Sequence, residues 1–365
     1  MAFNLDDFLM KSHKAQASDI HLNCFKPPSL RINGEIYKIA GDIITYDDIK
    51  SILEQTLPAE YSKKIDEIQD IDYIYEIAGL SRYRVNYCKD IYHGKFTFRT
   101  IPYYIKSVDE LALPEYLKEY SSFNNGIVIV TGATGSGKST TLASLIDNIN
   151  QKYKRHIITI EDPVEFVYEE KKSIITQRSL DIDVKDFKTG IKYALRQDPD
   201  VILVGEIRDK DTLLSAIEAA ETGHLVFSTL HTNGAIASIG RLKGFIDEAS
   251  QEPFMKRLAA CIRGVIHQQL VPTTKDGHLA PAVEILTFTP TVIDYVKDGK
   301  MDDVYMLMQR SRQPNIVTMN MSLYDLYKEG KITKEVAIEH SLEKTGIDQM
   351  IRGMYRDNYV DDSIL

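Results

Sequence analysis

The sequence is short of several features that would place a protein in a class at once. It has no apolar run near the roughly 18 residues needed to cross a membrane, and its first residues, MAFNLDDFLMKSHK, lack the apolar centre of a signal peptide. Its 3 cysteines, Cys24, Cys88 and Cys261, are too far apart for a disulfide framework or paired zinc ligands. We therefore expect a soluble, cytoplasmic protein with reduced thiols.

The chain also lacks the positive surplus that is typical of nucleic-acid-binding proteins. It carries 44 basic and 53 acidic residues, which gives a formal net charge of −9, and no basic stripe is present. This balance predicts that nucleic acid is not a partner. The length of 365 residues, 43% of them hydrophobic, is sufficient for two domains with separate cores.

The first hundred or so residues are predicted to form a mixed α/β domain. Half-buried strands are indicated by four segments that alternate apolar and polar residues: SDIHLN, SLRINGEIYKI, DIDYIYEI and SRYRVNYCKD. An Asn-Gly pair at 33–34 predicts a hairpin, and YDDIKSILEQTLPAEYSKKIDEI has helical spacing. A polar, proline-containing segment follows. We therefore assign this domain to 1–105 and a linker or hinge to 106–113.

The pattern changes beyond the linker, where short apolar runs alternate with helical segments. The runs GIVIVTG, HIITIED, DVILVGEIRD and HLVFSTLHT are separated by helical stretches, the first from Ser139 to Asn150. This βαβα order predicts a parallel sheet covered by helices. We assign a core domain to 114–290 and a mostly helical C-terminal region to 291–365.

The segment GIVIVTGATGSGKSTT contains a phosphate-binding motif. Gly132, Gly137, Lys138 and Ser139 match G-x-x-x-x-G-K-[ST] between a strand and a helix, as the motif requires. The loop amides and the helix dipole suit phosphate; Lys138 would reach the β- and γ-phosphates and the Ser139 hydroxyl would ligate Mg²⁺. ATP and Mg²⁺ are therefore the predicted ligands. The predicted binding loop consists of Gly132, Ala133, Thr134, Gly135, Ser136, Gly137, Lys138, Ser139 and Thr140.

Carboxylates follow two of the predicted strands. HIITIEDPVEF supplies Glu161, Asp162 and Glu165, and DVILVGEIRD supplies Glu206 after Gly205. Because ligands in an open α/β sheet bind beyond the carboxyl ends of the strands, both sets should face the nucleotide. One carboxylate would hold Mg²⁺ through water, and another would orient the attacking water.

Two histidines and one arginine complete the set of candidates. His224 precedes the predicted strand LVFSTL and His231 follows it. Since the sheet should place His231 on the γ-phosphate side, sensing or proton relay and a structural role are both open for His231. Arg208 follows Glu206 and is a candidate either for nucleotide contact or for an internal salt bridge.

These segments, in this order, resemble a known family. GATGSGKSTTLASLID, ITIEDPVEF, ALRQDPDVILVGEIRD and AAETGHLVFSTLHT are similar to the Walker A, Asp, Walker B and His boxes of the type II/type IV secretion ATPases. ASDIHL, PPSLRINGEI, RYRVNY and FRTIP resemble the first domain of the pilus retraction ATPases of the twitching-motility branch, PilT and PilU. The resemblance implies an N-terminal PAS-like α+β domain, a RecA-like P-loop ATPase core and a helical C-terminal tail, assembled as a ring-shaped homo-hexamer.

The resemblance also implies residue roles and a function. Glu165 would be the catalytic glutamate and Glu206 the Walker B acid that shares Mg²⁺ with Ser139, beside the further catalytic candidates Asp162, His231 and His224. Nucleotide phosphates would be contacted by arginines of the first domain, with Arg82, Arg84 and Arg99 as the candidates. The ring would hydrolyse ATP to power type IV pilus retraction from the inner face of the cell membrane. It would act on the inner-membrane platform protein of the pilus machine, with a second retraction ATPase as a further candidate partner.

Two features bear on the branch of the family. The segment IHQQLVPTTKDGHLAPAVEIL contains no cysteine, which predicts that the zinc insert of the pilus-assembly motors is absent and favours the retraction branch. TPTVIDYV at 289–296 stands where the best-known retraction ATPases have an AIRNLI helix, which leaves open an auxiliary subunit of the PilU kind. A type IVB secretion ATPase, a nucleic-acid motor and a non-hydrolysing ring subunit remain alternatives.

Overall fold

Two β-sheets, each with its own helices, organise the chain. The computed structural model describes residues 3–353 apart from 33, 42, 60, 62–64, 66, 102–103, 181, 276 and 312. It divides into two units, Met1–Tyr104 and Ile105–Leu365. Within the described residues, no helix is long and apolar enough to cross a bilayer.

The first unit contains six antiparallel strands in the order β3-β2-β1-β6-β5-β4. On β5, Tyr83, Val85 and Tyr87 are buried beneath the two helices, while Arg82 and Arg84 lie on the opposite face. This period of two is what the sequence predicts, and β2 and β3 pair as the predicted hairpin, although Asn33 lies outside the described residues. The elements are α1 Leu5–Lys14, β1 Asp19–Asn23, β2 Ser29–Ile32, β3 Glu35–Lys38, α2 Tyr46–Thr56, β4 Asp70–Ile77, β5 Ser81–Cys88 and β6 Lys95–Ile101.

The second unit is built on an eight-stranded sheet in the order β14-β13-β12-β7-β11-β10-β8-β9. Strands β7 to β12 are parallel, and β13 and β14 extend the sheet with antiparallel pairing. The α/β architecture predicted from the sequence is therefore confirmed. The strands are β7 Gly126–Thr131, β8 His156–Glu161, β9 Ile174–Ser179, β10 Val201–Val204, β11 Leu225–Leu230, β12 Ile262–Pro272, β13 Leu279–Thr287 and β14 Ile316–Val317.

Helices cover both faces of this sheet, which explains why its strands are continuous apolar runs. On β7, Ile127 and Ile129 pack against one helical layer, and Val128 and Val130 pack on the opposite side, where α3 lies. The helices are α3 Lys138–Lys152, α4 Phe187–Ala194, α5 Lys210–Glu221, α6 Ala235–Gly244, α7 Gln251–Cys261, α8 Pro290–Lys297, α9 Met301–Arg310, α10 Met319–Lys328, α11 Lys334–His340 and α12 Lys344–Ile351.

The boundaries of the units differ from the predicted ones in two places. The chain divides between Tyr104 and Ile105, and the segment predicted as a linker, 106–113, lies inside the second unit with Val108 and Leu113 buried in its core. Helices α8 and α9 also bury side chains in the main core of this unit. The polar character of the linker segment was therefore a poor guide, because a few apolar anchors decide where such a segment packs.

Residue 264 must be glycine because the ring of Tyr120 fills the space that a side chain at this position would occupy. A Cβ atom at this position would lie 2.5 Å from Cε1 and 2.6 Å from Cζ of Tyr120, whose hydroxyl is hydrogen-bonded to Thr287 at 2.7 Å. Since Tyr120 is fully buried, Gly264→Ala should lower the free energy of unfolding by about 1–3 kcal/mol through overpacking.

Gly240 provides the matched control. It lies in α6, and a Cβ atom there would meet nothing within 4 Å. Gly240→Ala should therefore be neutral or stabilise by up to about 1 kcal/mol, because alanine is the better helix former. Urea unfolding of both variants measures the difference, and equal effects would contradict this account of Gly264.

Candidate active site

Four strands of the second sheet end at the same edge. β7, β11, β10 and β8 are adjacent and parallel, so the loops that follow Thr131, Leu230, Val204 and Glu161 are neighbours. This arrangement follows from the sheet topology alone. It brings the glycine-rich loop, both acidic segments and His231 to one edge, as predicted.

The glycine-rich loop connects β7 to α3 through conformations that side chains rarely allow. Gly132 has φ 144°, and a Cβ atom there would collide with the Gln268 carbonyl oxygen and lie 2.5 Å from Ser136 Oγ. Gly137, the N-cap of α3, has φ 86° and no side-chain cap. The first amides of α3 therefore have no intrahelical acceptor and remain as donors at the loop.

Lys138 lies between this loop and the acidic segments. Its Nζ donates hydrogen bonds to the carbonyl oxygens of Gly132 and Ala133, both at 2.8 Å, and only 8% of the residue is exposed. Burial lowers the pKa of Lys138, whereas the negative charges of Glu206 and Glu165 act in the opposite direction. The buried ammonium thus interacts electrostatically with both predicted catalytic glutamates.

Gln268 supports the loop from β12, and the sequence patterns do not reveal it. Its Nε2 donates to the Ser136 carbonyl oxygen at 2.8 Å, and its Oε1 accepts from Thr141 Oγ1 at 2.7 Å. Gln268 is 3% exposed. A single buried amide therefore fixes the loop and the first turn of α3 together.

Glu206 pairs with Arg208 and lies close to His231. Its Oε1 pairs with Arg208 Nη2, and its Oε2 lies 3.5 Å from His231 Nε2. The same guanidinium reaches Asp162 through Nη1 at 3.3 Å. Of the two interpretations left open for Arg208, the salt bridge is the one found within this chain, and it raises the pKa of Arg208. The structure therefore joins Asp162, Glu206, Arg208 and His231 in one cluster.

Glu161 supports the segment that carries Glu165. The Glu165 amide lies 3.4 Å from Glu161 Oε2, and Glu161 Oε1 is buried without a hydrogen-bond partner among the described residues. Burial raises the pKa of Glu161 to about 7. Glu161 ends its strand like a Walker-type acid, but its contacts make it a support for the following loop.

His224 is not brought to this edge, which corrects its selection as a catalytic candidate. It precedes β11, and its carbonyl oxygen accepts from Gly126 N at the start of β7. Its Nδ1 lies 3.0 Å from the Ala219 carbonyl oxygen at the end of α5. A six-residue strand separates it from the phosphate-binding edge by about 20 Å, so within this chain His224 has a structural role.

The three arginine candidates lie on the open face of the first sheet. Arg82 Nε is 3.5 Å from Glu76 Oε2, and Arg99 Nε donates to Asp19 Oδ1 at 2.9 Å. Arg84 lies opposite Arg99 in the β5–β6 register. Their contact with nucleotide stays a prediction.

Sequence comparison agrees with this arrangement. The family model for the type II/IV secretion system protein matches residues 107–345, which include every loop of the edge described above. The chain belongs to this family. It is 36% identical over 336 residues to the type IV pilus retraction ATPase PilT of Pseudomonas aeruginosa, which covers 92% of this chain and 97% of the relative. It is 32% identical over 335 residues to the type IV pilus ATPase PilU of the same organism, which covers 92% and 88%.

A solved structure extends the family comparison to the fold. The pilus retraction motor PilT with bound ADP superposes with a TM-score of 0.89 at 38% identity, and the match covers 95% of this chain and 100% of that chain. The family assignment therefore holds for both units of the chain.

A buried histidine beneath the loop makes stability depend on pH. His267 is 1% exposed, its Nδ1 lies 3.2 Å from Thr131 Oγ1, and burial lowers its pKa to about 4. In the unfolded chain a histidine has a pKa near 6.5. Between about pH 6.5 and pH 4, His267 is therefore protonated in the unfolded chain but neutral in the folded chain. Stability from this residue is present above about pH 6.5 and is lost as the pH falls, by about 1.4 kcal/mol per unit.

His267→Asn should remove this pH dependence while it keeps an acceptor for Thr131. Urea unfolding of both proteins from pH 7.5 to 4.5 provides the measurement. Relative to the variant, the unfolding free energy of the wild type should stay constant from pH 7.5 to about 6.5 and then fall by about 1.4 kcal/mol per pH unit. A constant difference would contradict the buried neutral state of His267.

Proposed function

We propose that this chain is the subunit of an ATP-hydrolysing motor that powers type IV pilus retraction. One observation supports the proposed ATPase activity. The buried ammonium of Lys138 lies at a phosphate-binding loop and interacts electrostatically with Glu165 and Glu206. The similarity to PilT over nearly the whole chain supports the motor role.

The two units have the features of the domains that we propose. The open-faced antiparallel sheet of the first unit is consistent with a PAS-like domain. The second unit has the P-loop after the central strand β7 and acids after β10 and β8, which lie further along the same parallel sheet beyond β11, as expected of a RecA-like core. We propose the hinge between them near the division at Tyr104 and Ile105.

ATP would bind through the loop from Gly132 to Thr140. The amides of the loop and of the first turn of α3 would donate to the phosphates, and Lys138 would exchange its bonds to Gly132 and Ala133 for phosphate oxygens. The buried position of Lys138 strengthens this interaction, because water competes weakly for the ammonium there.

The residues at the edge also fit a magnesium ion. Among the described residues, no three His, Cys, Asp or Glu side chains form a metal site by themselves, which suits an ion that takes most of its ligands from phosphate and water. Ser139, exposed in the first turn of α3, and Glu206, acting through water, are the residues that would hold it. When bound, Mg²⁺ neutralises charge on the transferred phosphoryl group.

Hydrolysis would depend on Glu165, which we propose as the group that orients water and accepts its proton. Attack on the γ-phosphorus breaks the bond to the β-phosphate oxygen, so ADP leaves and phosphate is formed. Arg208 pairs with Glu206 and links it to Asp162, and His231 lies beside Glu206.

The assembly belongs to the same proposal. A homo-hexamer would bring the arginines of a neighbouring first unit, Arg82, Arg84 and Arg99, to the phosphates and so couple hydrolysis to movement of one subunit against the next. The ring would work on the cytoplasmic side of the inner membrane against the platform protein of the pilus machine.

The enzymatic proposal is tested by substitutions at the edge. Lys138→Ala should weaken ATP binding by about 10- to 100-fold, since one buried charge-assisted contact is lost. Glu165→Gln should keep ATP affinity but lower turnover by about 100-fold or more. Lys152→Ala, in an exposed position at the end of the same helix, is the control and should change neither. Full turnover in Lys138→Ala would refute the proposal at its first step.

The cellular proposal is tested by gene deletion. Cells without this chain should carry excess pili and fail to twitch, and wild type but not Lys138→Ala should restore retraction. The similarity to PilU favours an auxiliary role as the second candidate, for which deletion would leave partial retraction. Cells without pili would instead indicate an assembly motor and contradict both.

A further inference from the structure

A buried carboxylate joins the active-site edge to the C-terminal helices. Glu284 lies on β13 and is 5% exposed. Its Oε1 accepts from the Ala235 amide at 2.6 Å, and its Oε2 accepts from the Met319 amide at 3.3 Å. Ala235 begins α6 and Met319 begins α10, so one side chain binds the N-termini of two helices.

The start of α6 depends on this bond because it has no cap of its own. Its N-cap is Gly234, with φ 110° and no side-chain hydrogen bond. A Cβ atom at Gly234 would lie 3.4 Å from both Glu284 Oε1 and Leu342 Cδ1. Glu284 therefore supplies from β13 an acceptor for the first amide of α6, one of the donors that have no partner within the helix.

Residues 231–234 connect this helix start to the catalytic cluster. His231 opens the connection and lies 3.5 Å from Glu206 Oε2. Thr232 Oγ1 and Ser238 Oγ are 2.6 Å apart, and Ser238 Oγ donates to the Gly234 carbonyl oxygen at 2.7 Å. The connection is thus attached to α6, and a shift of the helix start would move His231.

The second carboxylate oxygen of Glu284 binds the start of α10, beside a cavity. α10 begins at Met319 with Thr318 as its N-cap, and residues of α9, α10 and α12 line a cavity of about 220 Å³ there. α10 still contacts the start of α12, because Asn320 Nδ2 donates to the Glu343 carbonyl oxygen at 2.9 Å. Glu284 and Glu343 both line this cavity. Side chains that line a cavity lack packing partners on one side, so a small displacement of the C-terminal helices would break few contacts there.

We propose that Glu284 is a positioning residue that sets the place of His231 and ties it to α10. Displacement of the C-terminal helices would then be transmitted to Glu206, so the helices could regulate hydrolysis. This inference rests on the proposed ATPase activity. The carboxylate suits the task because two helix N-termini favour its negative charge, although burial raises the pKa of Glu284 and the two amides oppose that effect.

Glu284→Gln tests the link with little change in shape. Its amide nitrogen cannot accept a hydrogen bond, so either Ala235 or Met319 loses its partner. In the full chain, we expect kcat to fall by about tenfold or more through misplacement of His231, with the Kd for ATP unchanged because Glu284 makes no contact with the loop. Hydrogen exchange at the Ala235 or Met319 amide should accelerate.

Two further variants separate positioning from loss of stability. Glu343→Gln alters the same cavity, where Glu343 accepts from Tyr305 at 2.8 Å, but it does not touch α6 and should leave kcat unchanged. Thr318→Ala removes the cap of α10, which accepts from Met321 N at 3.3 Å. It should accelerate exchange at Ala235 and lower kcat, although it contacts neither α6 nor His231.

The outcomes distinguish the inference from the proposed function. A lower melting temperature in Glu284→Gln with unchanged kcat, or unchanged exchange at Ala235 in Thr318→Ala, would overturn the inference. Wild type without ATPase activity would instead overturn the proposed function, and exchange at Ala235 and Met319 would still report on the link.

Discussion

The buried ammonium of Lys138 is the interaction on which the rest of the site depends. A lysine with 8% exposure needs partners, and the carbonyl oxygens of Gly132 and Ala133 provide them. The loop can present those carbonyls only because Gly132 and Gly137 take backbone conformations that other residues avoid. The charge is thereby held at the edge where the acidic segments end, and a triphosphate would compete with the carbonyls for it.

A second layer of buried polar groups holds the first in place. Gln268 fixes the loop to α3, Glu161 holds the amide of Glu165, and Glu284 holds the start of the helix behind His231. Glu161 and Glu284 accept from backbone amides, and Gln268 donates to a carbonyl oxygen and accepts from a hydroxyl. These bonds make the positions of the loops interdependent. A motor needs such interdependence, because binding at one place must move another.

The sequence predicted the local features well and the long-range ones poorly. The apolar runs, the loop and the acids after β8 and β10 were found because each depends on neighbouring residues and on the rule for parallel strands. The roles of Gln268 and His267 could not be predicted, because both residues reach the loop through the pairing of β12 with β7. His267, for example, is 136 residues from its partner Thr131 in the sequence. His224 precedes its strand, at the end where parallel sheets do not bind ligands, so only the resemblance to the family makes it a catalytic candidate. Segment 106–113 has the polar composition of a linker because its buried anchors are few.

The most direct test is a crystal structure of the protein with Mg²⁺ and a non-hydrolysable ATP analogue. We expect Lys138 Nζ to leave the carbonyl oxygens of Gly132 and Ala133 for phosphate oxygens, with Glu165 and Glu206 directed at the terminal phosphate. The proposed role of Lys138 would be refuted by a structure in which Lys138 keeps its carbonyl partners, while the triphosphate binds elsewhere and both glutamates face away from it.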